Sequence, residues 1–173
     1  MISAIVAVDE NFGIGFNGDL LEHIPEDLKH FKELTSGHNV VMGRKTWDSL
    51  PKKPLPNRHN LVITKDPSIY ELTNEVWFYT LRQIEVLMLK NKNVNYFVIG
   101  GGQIYEKLLP ICDKVYLTKI MVSHENVDTY FPNIELMDNW KCIEQSEIKQ
   151  YNDISYQFKT YSRISWFYLN KML

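Results

Sequence analysis

Several short stretches of the chain are apolar almost without interruption. Residues 2–8, Ile-Ser-Ala-Ile-Val-Ala-Val, are of this kind, and residues 39–43 and 60–64 repeat the pattern. Short apolar runs rich in β-branched residues are typical of strands buried on both faces, as in the middle of a parallel sheet. The chain therefore predicts a mostly parallel sheet with helices on both sides.

Helical patterns alternate with these runs. Pro25 suits the first position of a helix, because its missing N–H would have no partner there. Thr80 and Gln83 have the spacing of a capping box. Together these signals predict helices over residues 25–34, 44–50, 81–90 and 103–109.

The remaining strands complete a single domain. Alternating runs at 140–148 and 154–161, joined by a turn at 150–153, predict an antiparallel hairpin. Further strands are expected at 75–79, 96–99 and 114–121. The predicted fold is α/β, with a mostly parallel central sheet, an antiparallel C-terminal hairpin and flanking helices.

Composition excludes several classes of protein. The chain has 173 residues, a net charge of -2 and two cysteines without a CxxC pattern. We expect no nucleic-acid partner, no disulfide framework and no metal, because the five histidines also lack ligand spacing. No run resembles a signal peptide or a membrane span, so the expected location is the cytoplasm.

One acidic residue interrupts the apolar stripe of the first predicted helix. Ile24, Leu28 and Phe31 fall on one side of this helix, and Asp27 lies among them. A carboxylate in a first turn is often explained by the helix dipole alone. The alternative is a partly buried carboxylate that faces a ligand cavity, with a pKa set by burial and neighbours.

Two glycine-rich segments follow strands. Residues 13–18 contain G-x-G-x-x-G, but no helix begins before Pro25, so we interpret them as a mobile loop rather than a dinucleotide fingerprint. We call residues 13–24 the lid segment. Gly100-Gly101-Gly102 lies between a strand and a helix, where backbone can approach a diphosphate closely. Arg44, Lys45 and Thr46 begin another helix and form either an anion site or a solvated basic face.

In this order, the motifs resemble dihydrofolate reductase of the bacterial type over residues 1–161. The similarity rests on seven segments in register: Ile14-Gly15, residues 24–31, residues 41–47, residues 55–58, residues 98–105, residues 116–118 and residues 128–132. The resemblance implies that NADPH transfers a hydride to C6 of dihydrofolate while N5 gains a proton. It also implies a small-molecule partner and a monomer, with a dimer through residues 162–173 as the alternative.

The resemblance assigns roles to individual residues. Asp27 would hold the pterin and assist protonation, Thr118 would orient Asp27, and Arg58 would bind the glutamate carboxylate. The folate cavity would be lined by Ile5, Ala7, Leu28, Phe31, Leu50 and Leu55. The cofactor would contact Ala7, Ile14, Gly43, Arg44, Lys45, Thr46, Thr64, Lys65, Ile99, Gly100, Gly101, Gly102, Gln103, Ile104 and Tyr105. By the same resemblance, the Gly100-Gly101 bond would be a cis peptide.

Two features depart from the family. Leu20-Leu21-Glu22 stands where the family has Leu or Met, then Pro, then Trp. We expect Leu20 and Glu22 to lie near the reacting groups, and Glu22 to raise the pKa of Asp27 by charge repulsion. The second departure is the extension 162–173. A pyrimidine reductase of riboflavin synthesis and a catalytically silent nucleotide-binding protein remain the alternative functions.

Overall fold

A computed structural model describes residues 1–71 and 73–164 of the chain. At its centre is a large sheet, whose strands are β1 Ile2–Val8, β4 Asn39–Gly43, β5 His59–Ile63, β6 Val76–Tyr79, β7 Tyr96–Gly100, β8 Lys114–Ile120, β10 Trp140–Gln145, β11 Lys149–Tyr151 and β12 Ile154–Arg163. These strands lie in the order β10-β12-β8-β1-β7-β4-β5-β6, and β11 pairs with β12.

The sheet is parallel from β8 through β1 to β6, and β12 joins it antiparallel. The predicted parallel sheet with a C-terminal hairpin is therefore confirmed. A shift of register between Cys142 and Glu144 interrupts the hairpin. β12 continues to Arg163, two residues past the predicted domain boundary, and residues 165–173 of the extension lie outside the described residues.

Four helices flank the sheet: α1 Pro25–Thr35, α2 Arg44–Ser49, α3 Leu81–Lys90 and α4 Gly102–Leu108. Pro25 occupies the start of α1, and both bonds of the Thr80–Gln83 capping box form at the start of α3. Helices cover both faces, since α3 and α4 contribute to one apolar cluster and α1 and α2 to another. Within the described ranges, no helix is long and apolar enough to cross a membrane.

The lid segment differs from the predicted loop. It contains β2 Gly13–Phe16 and β3 Asp19–Leu20, which form a small sheet with β9 Thr129–Tyr130 in the order β3-β2-β9. Residues 128–132, also predicted to be a loop, supply this third strand. Strands of two to four residues are too short to show a period in the sequence, which explains why they were not predicted.

Candidate active site

The carboxylate of Asp27 meets a hydroxyl from the centre of the sheet. Asp27 lies in the first turn of α1, and Thr118 lies on β8. The Thr118 hydroxyl donates to Asp27 Oδ1 over 2.6 Å. In the register of the parallel pair, Thr118 is opposite Ala7 of β1. Asp27, Thr118 and Ala7 thus come together although the sequence separates them widely.

Burial has the largest effect on the pKa of the Asp27 carboxyl group. The loss of solvent raises the pKa of Asp27, while the bond from Thr118 and the nearby His30 lower it. The adjacent acid on the helix behaves differently, because Lys149 and Tyr156 donate to Glu26 and lower its pKa. The interpretation of Asp27 as a simple helix-dipole residue therefore leaves its environment unexplained.

Glu22 bonds to a histidine that the sequence analysis did not name. Its Oε1 is 3.0 Å from Nε2 of His124, and Glu22 is not among the groups that shift the pKa of Asp27. The expectation that charge repulsion from Glu22 raises this pKa is therefore wrong, because burial is the cause that raises it. Leu20, also expected near the reacting groups, is 47% exposed in the lid segment.

An apolar cluster extends from Asp27 along one face of the sheet. It contains Ile5 of β1 together with Phe31 of α1, Leu50 and Leu55. These are four of the residues that the sequence assigned to a folate cavity. Leu28 is 44% exposed on α1, so it faces out of the packed core rather than into it.

Arg58 is fixed at the far end of this cluster. Its side chain is 7% exposed, and its guanidinium carbon lies 5.7 Å from the centre of the Phe31 ring. Nε donates to the carbonyl of Pro56 over 3.0 Å, and Nη1 donates to the Thr35 hydroxyl over 3.1 Å. Within the described residues Nη2 makes no such bond, so its N–H groups keep a fixed orientation for an anion. Sequence analysis missed Thr35, which is buried and whose hydroxyl accepts the bond from Arg58.

Two strand ends meet beside β1 and form a turn rich in glycine. Gly100, at the end of β7, pairs with Met42 of β4 and has a φ of 127°, and the Gly100-Gly101 peptide is cis as expected. A Cβ added at Gly43 would lie 2.9 Å from Ile104 Cγ1, and one at Gly101 would lie 3.2 Å from Thr46 Oγ1. Ile104 and Thr46 fill the space beside these two glycines, so the backbone can follow this tight course only where no Cβ is present.

Helix α4 begins at this edge and connects it to the centre of the sheet. Gly102 and Gln103 begin α4, and Tyr105 of the same helix donates to the Ile5 carbonyl over 2.6 Å, which joins the glycine turn to β1. Four of the predicted phosphate-binding residues lie just after the ends of the neighbouring strands β4 and β5, namely Arg44, Lys45, Thr64 and Lys65. Arg44 pairs with Asp48 over 2.6 Å on the protein surface. The predicted nicotinamide contacts Ile14 and Ile99 pack against the two apolar clusters of the core.

Asp9 and His124 belong to the same region, and sequence analysis missed both. The buried Asp9 follows β1 and accepts hydrogen bonds from the backbone N–H groups of Asn11 and Gly13. His124 lies between Asp9 and Glu22. No local pattern could have revealed the pair, because more than 100 residues separate His124 from either partner.

The sequence and the fold both match one family of known proteins. A family model described as dihydrofolate reductase matches residues 1–163. Dihydrofolate reductase of Bacillus subtilis is 41% identical over 165 residues, which cover 94% of this chain and 95% of the relative. The enzyme of Buchnera aphidicola is 35% identical, with 94% and 99% of the two chains covered. A solved structure of dihydrofolate reductase from Enterococcus faecalis, complexed with NADP(H) and RAB-propyl, superposes with a TM-score of 0.81 at 30% identity and covers 95% of this chain and 97% of that one.

Proposed function

This chain belongs to the dihydrofolate reductase family and reduces dihydrofolate with NADPH, and we propose that Asp27 binds the pterin and assists the protonation of N5. The bound cofactor supplies the hydride that C6 receives. The 2.6 Å bond from Thr118 holds one oxygen of Asp27 in place. A carboxylate accepts two parallel N–H bonds well, as the amino-pyrimidine edge of a pterin offers them.

The raised pKa of Asp27 supports the second part of this role. A proton carrier works best when its pKa approaches the working pH, and an exposed aspartate is too acidic for that. Partial burial at the start of α1 moves the pKa of Asp27 in the required direction. Thr118 acts through Asp27 and is therefore a positioning residue.

The other end of the substrate requires a cation. We propose that Arg58 binds the glutamate carboxylate, with Ile5, Phe31, Leu50 and Leu55 along the cavity between the two polar ends. The bonds to Pro56 and Thr35 prevent the guanidinium from rotating, which lowers the entropy lost on binding.

The glycine turn and the nearby cations would hold the cofactor. Gly43, Gly100, Gly101 and Gly102 let the backbone of the turn pack closely at the proposed diphosphate site, and Arg44, Lys45 and Lys65 would neutralise phosphate charge. An extra phosphate distinguishes NADPH from NADH, and a set of cations around one edge favours the more highly charged cofactor.

The proposed role of Asp27 has a direct test. Oxidation of NADPH is followed by absorbance in wild-type protein, Asp27→Asn and the matched variant Glu26→Gln, which removes the neighbouring exposed carboxylate. At neutral pH we expect kcat to fall by about 100-fold or more in Asp27→Asn, the usual size of an acid–base contribution. Glu26→Gln should retain full activity. Equal activity of Asp27→Asn and wild type would contradict the proposal.

Two further properties are proposals of the same kind. We propose that the protein acts as a monomer in the cytoplasm, where its two free cysteines, Cys112 and Cys142, would stay reduced. Sedimentation at micromolar concentration tests the oligomeric state, and a chain truncated after residue 163 tests whether the extension contributes to it.

A further inference from the structure

His124 lies between two carboxylates that come from different parts of the chain. Its Nε2 is 3.0 Å from Glu22 Oε1, and its Nδ1 is 3.4 Å from Asp9 Oδ2. The side chains are progressively less exposed from the surface inward, at 28% for Glu22, 18% for His124 and 0% for Asp9. This triad of side chains, Asp9, His124 and Glu22, connects the lid segment to the end of β1.

Asp9, the buried member of this triad, is held in place by several backbone N–H groups. Asp9 Oδ1 accepts from the backbone N–H groups of Asn11 over 2.9 Å and Gly13 over 2.7 Å. Its other oxygen accepts from the backbone N–H of His124 over 3.2 Å. Asp9 therefore fixes both the turn before the lid segment and the backbone that carries the imidazole.

The two halves of the lid segment are attached differently. In the first half, β2 pairs with β9, and the Asn17 N–H donates to Asp128 Oδ2 over 2.8 Å. In the second half, within the described part of the chain, β3 pairs with β2, and Asp19 interacts locally with Leu20 and His23. Among the residues that the structure describes, the bond between Glu22 and His124 is the one hydrogen bond that joins residues 18–23 to a residue outside the lid segment.

We infer that His124 is a positioning residue that holds the second half of the lid segment in place through Glu22. We call the two contacts of the His124 ring, with Glu22 and with Asp9, the clasp. Ionised carboxylates accept hydrogen bonds and cannot donate them, so Nε2 has to donate to Glu22 and Nδ1 to Asp9. An imidazole ring with both nitrogens protonated is the positively charged form. The complete clasp therefore requires protonated His124, and loss of one proton leaves one of the two contacts without its hydrogen.

Among the described residues, two acidic side chains, Asp9 and Glu22, face the imidazole ring of His124. Lys119, on β8, approaches Asp9, and its ammonium group donates to the Glu10 carbonyl over 3.0 Å. Burial lowers the pKa of Lys119.

The position of the lid segment connects the clasp to the cofactor site. A Cβ added at Gly102 would lie 2.9 Å from Thr129 Cγ2 and 3.1 Å from the Tyr130 carbonyl, so β9 borders the glycine turn directly. β9 also carries β2 and, through it, β3. The link between the clasp and cofactor release rests on the proposed cofactor site, whereas the clasp itself does not.

Limited proteolysis measures the clasp without substrate or cofactor. A protease that cleaves before leucine is applied at pH 6.0 and 8.0, and its rate at Leu20 and Leu21 is divided by the rate on a free peptide of residues 13–26. His124→Asn removes the clasp, and His23→Asn is the matched control, because His23 lies on the same segment and pairs with Asp19 at the surface.

The expected pattern is specific. Wild-type protein should be cleaved about fivefold faster at pH 8.0 than at pH 6.0 after normalisation, the effect of losing one partly exposed charge-assisted bond. His124→Asn should be cleaved at the faster rate at both values, and His23→Asn should follow the wild type. Equal rates for His124→Asn and wild type at pH 6.0, or a rate in His23→Asn that no longer depends on pH, would overturn the clasp.

A second variant and a second measurement protect the test from a folding defect. Glu22→Gln removes only the charge at the exposed end, and its cleavage at pH 6.0 should also be faster than that of wild type. In stopped-flow displacement, release of NADPH should accelerate by a similar factor in both His124→Asn and Glu22→Gln. If these variants released NADPH at the wild-type rate although proteolysis was faster, the link to the cofactor site would be refuted. If the wild-type protein itself had no reductase activity, that result would concern the proposed function alone.

Discussion

Replacing Thr118 by valine removes the bond that orients Asp27 while it preserves the shape of a buried side chain. The bond is short, at 2.6 Å, and it ends on a carboxylate. Hydrogen bonds to charged groups stabilise proteins by about 1.5–3 kcal/mol, so Thr118→Val should lower the free energy of unfolding by that amount where Asp27 is ionised. Thr118→Ser, which keeps the hydroxyl, should lose much less.

The pH dependence of this loss separates the bond from simple packing. Burial raises the pKa of Asp27, so its contribution to stability is greatest at low pH and declines as pH rises through the folded-state value. The Thr118 bond lowers that pKa and opposes the decline. Its removal should therefore cost more at pH 8 than at pH 4.

Urea denaturation of wild type, Thr118→Val and Thr118→Ser at these two pH values measures the difference. Thr118→Val replaces the hydroxyl by a methyl group, whereas Thr118→Ser keeps the hydroxyl and loses the methyl, so only the loss in Thr118→Val should depend on pH. A loss in Thr118→Val that is the same at both pH values would refute the reasoning, since a packing defect has no reason to follow the charge of Asp27.

Three further outcomes are expected. Arg58→Lys should raise KM for dihydrofolate by about 10- to 100-fold through loss of a bidentate contact, yet leave KM unchanged for a pteridine without a glutamate tail, as steady-state kinetics would reveal. Gly43→Ala should lower the free energy of unfolding by about 1–3 kcal/mol through overpacking against Ile104, and urea denaturation should show a smaller loss from the same substitution in an Ile104→Ala background. Glu26→Gln should lower the melting temperature at pH 7, and this effect should shrink in acid, because Lys149 lowers the pKa of Glu26 and the stabilisation is lost as pH falls through that value.

Signals within a few residues of each other made most of the fold predictable. Pro25 and the capping box at Thr80 define helix starts through local geometry, and the apolar run of β1 defines a buried strand. The small sheet of the lid segment was missed, because its three strands are short and its pairing joins residues near 15 to residues near 129.

The candidate site shows the same division between local and distant information. Asp27 was noticed because an acid interrupted an apolar stripe, and the family resemblance supplied Thr118 as its partner. The partner of Glu22 could not be foreseen, since His124 is 102 residues away and belongs to no motif. The resemblance instead directed attention from Glu22 toward Asp27, and the structure corrected that interpretation.

The central claim is that Asp27 governs the proton that accompanies hydride transfer. The direct measurement is the single-turnover rate of NADPH oxidation by dihydrofolate between pH 5 and 9 in wild type and Asp27→Asn. Because burial raises the pKa of Asp27, the wild-type rate should fall with rising pH through a titration above the ordinary range of a carboxyl group, and Asp27→Asn should lack that titration. A variant that keeps the wild-type rate and the wild-type titration would contradict the account.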